Sequence, residues 1–201
     1  VELVSTTADD IVLSTNLRFF DLNGTWLTSH AGIFGSSDSV EGRDYFIYSG
    51  SLIRLQNFRA AGNLLFRSRW QLSNTDDLPS FDQIIIGGVA SVRGYTEGLL
   101  AGDQGYALTA EYAYPLGFVN GWAQRSNVFT FFDTGAAFPF RGDDGADSES
   151  EDFIASVGVG LDFDVFKTVS FKLSVGVPLM NKSFYQQDDY RIHAIFNWNA
   201  W

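Results

Sequence analysis

The sequence predicts an all-β fold, an antiparallel transmembrane β-barrel, and three observations carry this prediction. Apolar and polar residues alternate along most of the chain, as in strands whose two faces meet different surroundings. No uninterrupted apolar run is long enough for a membrane helix. Alternating strand directions gather short turns at one end of the sheet and long acidic connections at the other, which is typical of outer-membrane barrels.

Nine segments of the chain are predicted to be strands. The first runs into Asn23-Gly24, a pair that readily forms a tight hairpin turn, so the second is expected to follow directly. In the fourth, Arg67 and Arg69 lie opposite an aromatic face and need water or partners on their own side. The predicted strands are 10–21, 25–34, 44–57, 60–73, 105–116, 127–138, 153–165, 169–177 and 189–201.

The alternation is clearest in the last third of the chain. Every odd position from Phe153 to Val165, and again from Val169 to Val177, is apolar. Rows of this length can cross a hydrocarbon layer as tilted strands, which takes about nine to eleven residues. The final strand has the apolar row Phe196, Trp198 and Ala200, whereas Trp201 falls on the opposite face.

Strand direction also sorts the connections between strands. The short turns 22–24, 57–60 and 165–168 are expected at one end, with the longer 117–126 connection as an exception. The other end is expected to collect the acidic connections, which lie around Asp38, Asp76, Asp103, Asp143 and Asp188. A soluble β-sandwich has no physical reason to sort its acidic residues in this way.

Composition excludes several classes of protein. The 201 residues carry a formal charge of -11, which argues against nucleic acid as a partner. The absence of cysteine excludes disulfides and thiolate metal sites. No initiating methionine, basic n-region or signal-type apolar core is present, so the chain is expected to be a mature fragment of something longer.

A glycine-rich loop with one arginine at its tip separates the fourth and fifth predicted strands. Its features are the run 81–88, the motif Val92-Arg93-Gly94-Tyr95 with Ser91 before it, and Glu97, Gly102-Asp103, Gly105-Tyr106 and Glu111. This spaced set resembles the signature loop of two-partner secretion transporters, the TpsB proteins of the haemolysin activation and secretion type. These are outer-membrane barrels of the superfamily that includes the BamA-type assembly factors.

The loop arginine needs an acceptor if the loop folds inward, because a buried lone guanidinium is very unfavourable. Glu111 and Asp133 lie on strand faces assigned to the lumen. The run 131–135, Phe-Phe-Asp-Thr-Gly, resembles the superfamily's strand motif, whose acid is expected to pair with the loop arginine. We therefore expect Arg93 to bond Asp133, with Glu111 nearby. The glycines of the motifs are Gly87, Gly88, Gly102, Gly105 and Gly135.

The resemblance implies an outer-membrane pore that exports a secreted client protein without ATP, in the outer membrane of a bacterial cell. It covers only the second half of such a barrel, as one β-barrel domain over 1–201 with an inward loop over 74–104 and no POTRA domains. An odd number of strands cannot close an ordinary antiparallel barrel. Upstream strands are therefore missing, or residues 1–4 supply a tenth strand in a small barrel of about eight to ten, or two copies join as a homo-oligomer.

Two further function classes stay open: an outer-membrane assembly or insertion factor, or a relative without POTRA domains, and a soluble ligand-binding β-barrel. The sequence indicates no enzyme, cofactor or metal. His30 and His193 are far apart, and Asp162 and Asp164 are expected to line a hydrated lumen. The glycines are not a phosphate loop, since no Lys-Ser/Thr follows them. Membrane lipid and the secreted client are the expected partners.

Overall fold

The chain folds into one large antiparallel sheet and a small ribbon. The computed structural model describes residues 3–4, 9–20, 45–58, 62–74, 78–116, 123–138, 153–165, 168–181 and 188–198. The strands are β1 (Leu3–Val4), β2 (Asp9–Phe20), β3 (Tyr45–Asn57), β4 (Asn63–Ser73), β5 (Ile84–Ile86), β6 (Leu100–Gly102), β7 (Gln104–Pro115), β8 (Ala123–Phe138), β9 (Phe153–Val165), β10 (Val169–Pro178) and β11 (Arg191–Trp198). All but β5 and β6 join one nine-stranded sheet, and those two pair with each other. The predicted antiparallel all-β class is confirmed.

The sheet is an open meander. Its strands follow the order of the sequence from β1 to β11, and these two edge strands do not pair with each other in the part of the chain that is described. A closed barrel of eight to ten strands is therefore not formed by these residues, whereas part of a larger barrel fits the open sheet. In the same described ranges, no helix is long and apolar enough to cross a membrane.

The pairing of β2 corrects one sequence prediction. β2 pairs with β3 along its whole length, from Asp9 opposite Gln56 to Phe20 opposite Tyr45. β3, and not a strand over 25–34, is therefore the neighbour of β2 in the sheet, and residues 25–34 lie outside the described residues. The Asn-Gly signal at 23–24 lies instead in the 21–44 connection, which is outside the described residues. Such a pair supplies the backbone angles of many turns, so it does not require a hairpin. On its other side β2 pairs with Leu3–Val4.

The connections sort to two ends of the sheet. Those following β2, β4, β8 and β10 lie at one end, here called the acid-rich end, and contain Asp38, Asp76, Asp103, Asp143 and Asp188. Those following β3, β7 and β9 lie at the opposite, short-turn end. The expected sorting of acidic residues thus matches the strand order, while the 22–24 signal falls at the acid-rich end and not at the short-turn end.

The two faces of the sheet have the reverse polarity of a water-soluble sheet. The inner face, defined as the one that the loop over 78–103 covers, holds Asp133 and Ser156 at 0% exposure. The outer face leaves Val159 58% and Trp198 68% exposed. No second protein layer from the described residues covers these apolar rows. Apolar side chains outside and polar ones inside are the arrangement of a strand wall between lipid and a lumen.

Candidate functional site

The arginine loop has a defined shape of its own. Gly87 and Gly88 adopt φ values of 117° and 87°, a region that favours glycine, and this reverses the chain after β5. The turn is closed by Gly88 N–H donating to the Val92 carbonyl at 3.1 Å and by Gly87 N–H donating to Ser91 Oγ at 2.8 Å. The sequence did not predict the β5–β6 ribbon, which holds the two arms of the loop together.

The underside of the loop packs on the inner face of the sheet through apolar side chains. Ile86, Val92 and Tyr95 are 0% exposed and form one cluster with buried residues of β6 to β9. Gly135 of β8 lies beneath them, and a Cβ there would come within 2.8 Å of Ile86 Cγ2. Because Gly135 has no side chain, the loop can approach the inner face of the sheet closely. This close approach aligns Arg93 with the acids beside Gly135.

Arg93 is buried and bonded to both predicted acids. Its Nε donates to Asp133 Oδ2 at 2.7 Å and its Nη2 to Asp133 Oδ1 at 2.9 Å, a bidentate contact. Its Nη1 donates to Glu111 Oε2 at 2.7 Å, and its backbone N–H donates to Asp133 Oδ2 at 3.2 Å. Asp133 is 0% and Glu111 6% exposed, so both carboxylates depend on these partners.

The positive charge of Arg93 is stabilised by the carboxylates around it. Burial by itself lowers the pKa of the Arg93 guanidinium, but the hydrogen bonds and charges of Asp133 and Glu111 outweigh it and raise that pKa above its usual value. Burial also raises the pKa of the Tyr95 phenol, an effect that its backbone hydrogen bonds partly offset. Arg93 therefore stays a cation and Tyr95 stays neutral at physiological pH.

Two aromatic rings lie flat beneath the cations. The Phe131 ring centroid is 3.5 Å from Arg93 Cζ, and the Phe129 centroid is 4.2 Å from the Nζ of Lys172. The rings occupy the space left by the glycines opposite them on β9, Gly158 and Gly160, where a Cβ would overlap the ring atoms. The sequence interpretation missed this slot, although strand parity places both glycines on the inner face with the phenylalanines.

Lys172 is a further member of the site that the sequence did not reveal. Its Nζ donates to Glu111 Oε1 at 2.6 Å, so Glu111 binds two cations. Lys172 is on β10 and Glu111 on β7, and the ion pair therefore crosses the two strands between them. A contact over this span requires a curved sheet, since neighbouring strands are about 4.8 Å apart.

The rest of the motif is tied to the last three strands. Gly94 N–H donates to Ser156 Oγ at 3.1 Å, and the Tyr95 hydroxyl lies 3.1 Å from the Ala155 carbonyl oxygen and 2.9 Å from that of Met180. His193 Nε2–H donates to the Arg93 carbonyl at 2.7 Å. From the sequence, His193 was considered only as a metal ligand. Its contact with Arg93 was not predicted, because the two residues are 100 positions apart and only the pairing of β11 with β10 brings them together.

The glycines at the end of the loop allow close approach to β8. A Cβ on Gly102 would come within 2.7 Å of the backbone of Phe138, and one on Gly105 would overlap the Ala136 carbonyl oxygen. All five motif glycines therefore lie at turns or contacts of the loop with itself or the wall.

A second set of hydrogen bonds anchors the base of the loop at the acid-rich end. Gln71 Nε2 donates to the Asp82 carbonyl at 2.6 Å, and the Tyr45 hydroxyl donates to Asp82 Oδ2 at 3.0 Å. The Leu78 N–H donates to Asp103 Oδ1 at 3.0 Å. Two acids at this end, Asp82 and Asp103, therefore hold the base of the loop in place.

The charged side chains of the site are bonded to one another. Its carboxylates are occupied by cations, and the part of the chain that is described contains no group of three His, Asp or Glu side chains placed to hold a metal ion. Asp162 and Asp164 share the inner face with Lys172. The site therefore fixes the position of a loop inside a strand wall.

An arginine loop bound to the inner face of an inside-out antiparallel sheet defines the class of outer-membrane barrels with an inward loop. The model of the family described as "Haemolysin secretion/activation protein ShlB/FhaC/HecB" matches residues 19–163, more than half of the chain. The chain belongs to this family. Its members are outer-membrane β-barrel proteins of bacteria that transport secreted partner proteins, which places the chain in the outer membrane.

Solved structures agree on the fold. CdiB from Escherichia coli superposes with a TM-score of 0.72 at 19% identity, over 96% of this chain and 34% of that chain. CdiB from Acinetobacter baumannii superposes with a TM-score of 0.67 at 17% identity, over 96% of this chain and 31% of that chain. The chain thus spans about one third of these relatives. No curated protein matches the sequence. Membership of this family and the exposed apolar rows of the outer face together contradict the third function class, a soluble ligand-binding barrel.

Proposed function

We propose that the chain is part of an outer-membrane pore that exports a secreted partner protein, and that the arginine loop stays fixed inside that pore. The buried contact of Arg93 with Asp133 and Glu111 is the observation that carries the second half of this proposal. Membership of a secretion family supports the first half and favours export over the assembly or insertion of outer-membrane proteins.

The chemistry of the inner face suits this role. Polar side chains keep a lumen hydrated, so an unfolded client can pass without burying its backbone polar groups. The loop narrows that lumen and must not move into the path of the client. Four charged side chains, Arg93, Lys172, Glu111 and Asp133, sum to zero, and this neutral set holds the loop against the wall without attracting the client.

The open sheet needs a partner for each edge. We propose that further strands of a longer barrel pair with β1 and β11, since relatives three times as long share this fold. Two joined copies of the chain are the alternative. The mass of the protein extracted in mild detergent distinguishes them, because a single copy per particle contradicts the homo-oligomer.

The test is secretion of the partner protein by cells that carry pore variants. Arg93→Ala leaves Asp133 and Glu111 without their main cation and is expected to lower secretion at least tenfold at equal amounts of folded pore. Arg67→Ala is the matched control, since Arg67 is an exposed cation on β4 outside the loop site. Unchanged secretion by Arg93→Ala would overturn the role of the loop, whereas failure of every version, wild type included, to export any partner would overturn export itself.

A further inference from the structure

The outer face carries an arginine among its apolar rows. At the outer-face positions of β3, β4 and β7 to β11 whose side chains are described, Arg54 is the one charged residue. An arginine on a lipid-facing row is unfavourable at the middle of a bilayer, and the penalty falls toward the interfaces. The depth of Arg54 in the bilayer therefore determines whether its charge destabilises the protein or can bind a lipid headgroup.

Arg54 lies close to the short-turn end. It is three positions before Asn57, the last residue of β3, which is roughly 10 Å along the strand. In outer-membrane barrels the short turns face the periplasm. Phe58, Tyr114 and Trp198 are exposed at this same end, by 46%, 49% and 68%, as in the aromatic girdle of a membrane interface. Arg54 itself lies four residues inward of Phe58, but its Nη2 donates to Gln56 Oε1, so the side chain reaches back toward the lipid headgroups of the periplasmic leaflet.

A groove extends from Arg54 along the wall. It has a volume of about 540 Å³ and is lined by Leu52, Arg54, Gln56, Phe58, Leu64 and Phe66. Its polar groups are confined to one part, where Arg54 Nη2 donates to Gln56 Oε1 at 2.9 Å. That bond occupies one of the five N–H donors of an arginine, so the exposed guanidinium retains a fork that fits phosphate.

We propose that this groove binds a glycerophospholipid of the periplasmic leaflet, with the phosphodiester on Arg54 and an acyl chain along Leu52, Leu64 and Phe66. The positive charge matches the phosphodiester, and the apolar lining matches the chain attached to it. The proposal depends on the outer-membrane placement of the protein and not on export, so an inactive pore leaves it intact.

The experiment counts lipids on the purified full-length protein. The protein is folded in dodecyl maltoside, titrated with phosphatidylglycerol and analysed by native mass spectrometry. Arg54→Leu is expected to weaken binding of one lipid about tenfold or more, the effect of losing hydrogen bonds to a charged group. Arg54→Lys keeps the charge without the fork and is expected to bind with intermediate affinity. Folding is verified by heat-modifiable migration, which a lipid-facing leucine is expected to preserve.

Controls distinguish a lipid site from a free anion site and from an internal ion pair. Arg67→Leu removes an inner-face cation from the neighbouring strand and is expected to bind like the wild type. Equal lipid binding by Arg54→Leu and the wild type would overturn the proposal. So would complete displacement of the lipid by millimolar inorganic phosphate, which would indicate a free anion site. Asp9 is paired with Gln56 in the sheet. Lipid binding by Asp9→Asn but not by the wild type would also overturn the proposal, because Arg54 would then be an ion-pair partner of Asp9 in the native protein.

Discussion

At the scale of single residues, the site is a neutral cluster of charges removed from water. Arg93 engages Asp133 through two side-chain nitrogens and Glu111 through a third. Removing one partner of a buried ion pair costs about 3–5 kcal/mol, because the remaining charge stays buried and unpaired. Lysine has three donors on a single nitrogen and no planar fork, so it could not make the same bidentate contact with Asp133 while a second nitrogen bonds Glu111. The motif therefore specifies arginine for its geometry as well as its charge.

The ring slot gives a prediction at this scale. Gly158→Ala puts a methyl group against the Val175 carbonyl oxygen and where the Phe131 ring lies, so both must shift, and the displaced ring would move the guanidinium above it. We expect a loss of about 1–3 kcal/mol in the free energy of unfolding, as for other overpacked sites. Urea unfolding followed by gel mobility measures it. Val159→Ala, the next residue on the exposed outer face, is the control, and an equal loss in both variants would argue against the slot.

At the scale of elements, the loop is held by strands that are distant in sequence. Its tip contacts β7, β8, β9 and β11, and its base is bonded to β4 through Gln71. The residues contacted by the tip are Glu111, Asp133, Ala155, Ser156 and His193. Lys172 adds a link from β10 back to β7. These contacts close over the concave side of the sheet, so the loop and the curvature of the wall support each other.

The strands and the loop also show which features the sequence could predict and which it could not. Period-two alternation reported the faces of β9 and β10 correctly, because a strand between lipid and water has two different environments. The spaced motif pointed to Arg93, Glu111 and Asp133 as one group. Lys172 and His193 were not found, since their roles depend on the register of β10 and β11 and on curvature. The pairing of β2 with β3 was not predicted, because a local turn signal says nothing about which strand pairs next.

At the scale of the whole molecule, polarity and connections define an orientation. The outer rows are apolar, and the acid-rich and short-turn ends differ in the length of their connections. In outer-membrane barrels long loops face outward and short turns face the periplasm. The acid-rich end is therefore expected on the cell surface, with the arginine loop entering the lumen from that side.

Single cysteines test this orientation, because the chain contains none. Asp189→Cys, in an exposed acid-rich connection, is expected to react with a membrane-impermeant maleimide on intact cells. Thr168→Cys, in the short turn before β10, is expected to react only after the outer membrane is permeabilised. Labelling in the reverse pattern would contradict the orientation, and labelling of both sites on intact cells would contradict a protein that spans the membrane.

Hydrogen exchange of the loop amides tests most directly whether the loop is fixed to the wall. Peptides covering residues 88–95 are followed by mass spectrometry in the folded wild type, in Arg93→Ala and in Arg67→Ala. Slow exchange in the wild type and in Arg67→Ala, with exchange on the order of a hundredfold faster in Arg93→Ala, is the expected result. Equally fast exchange in all three proteins, or equal protection with and without Arg93, would contradict a loop held by its arginine.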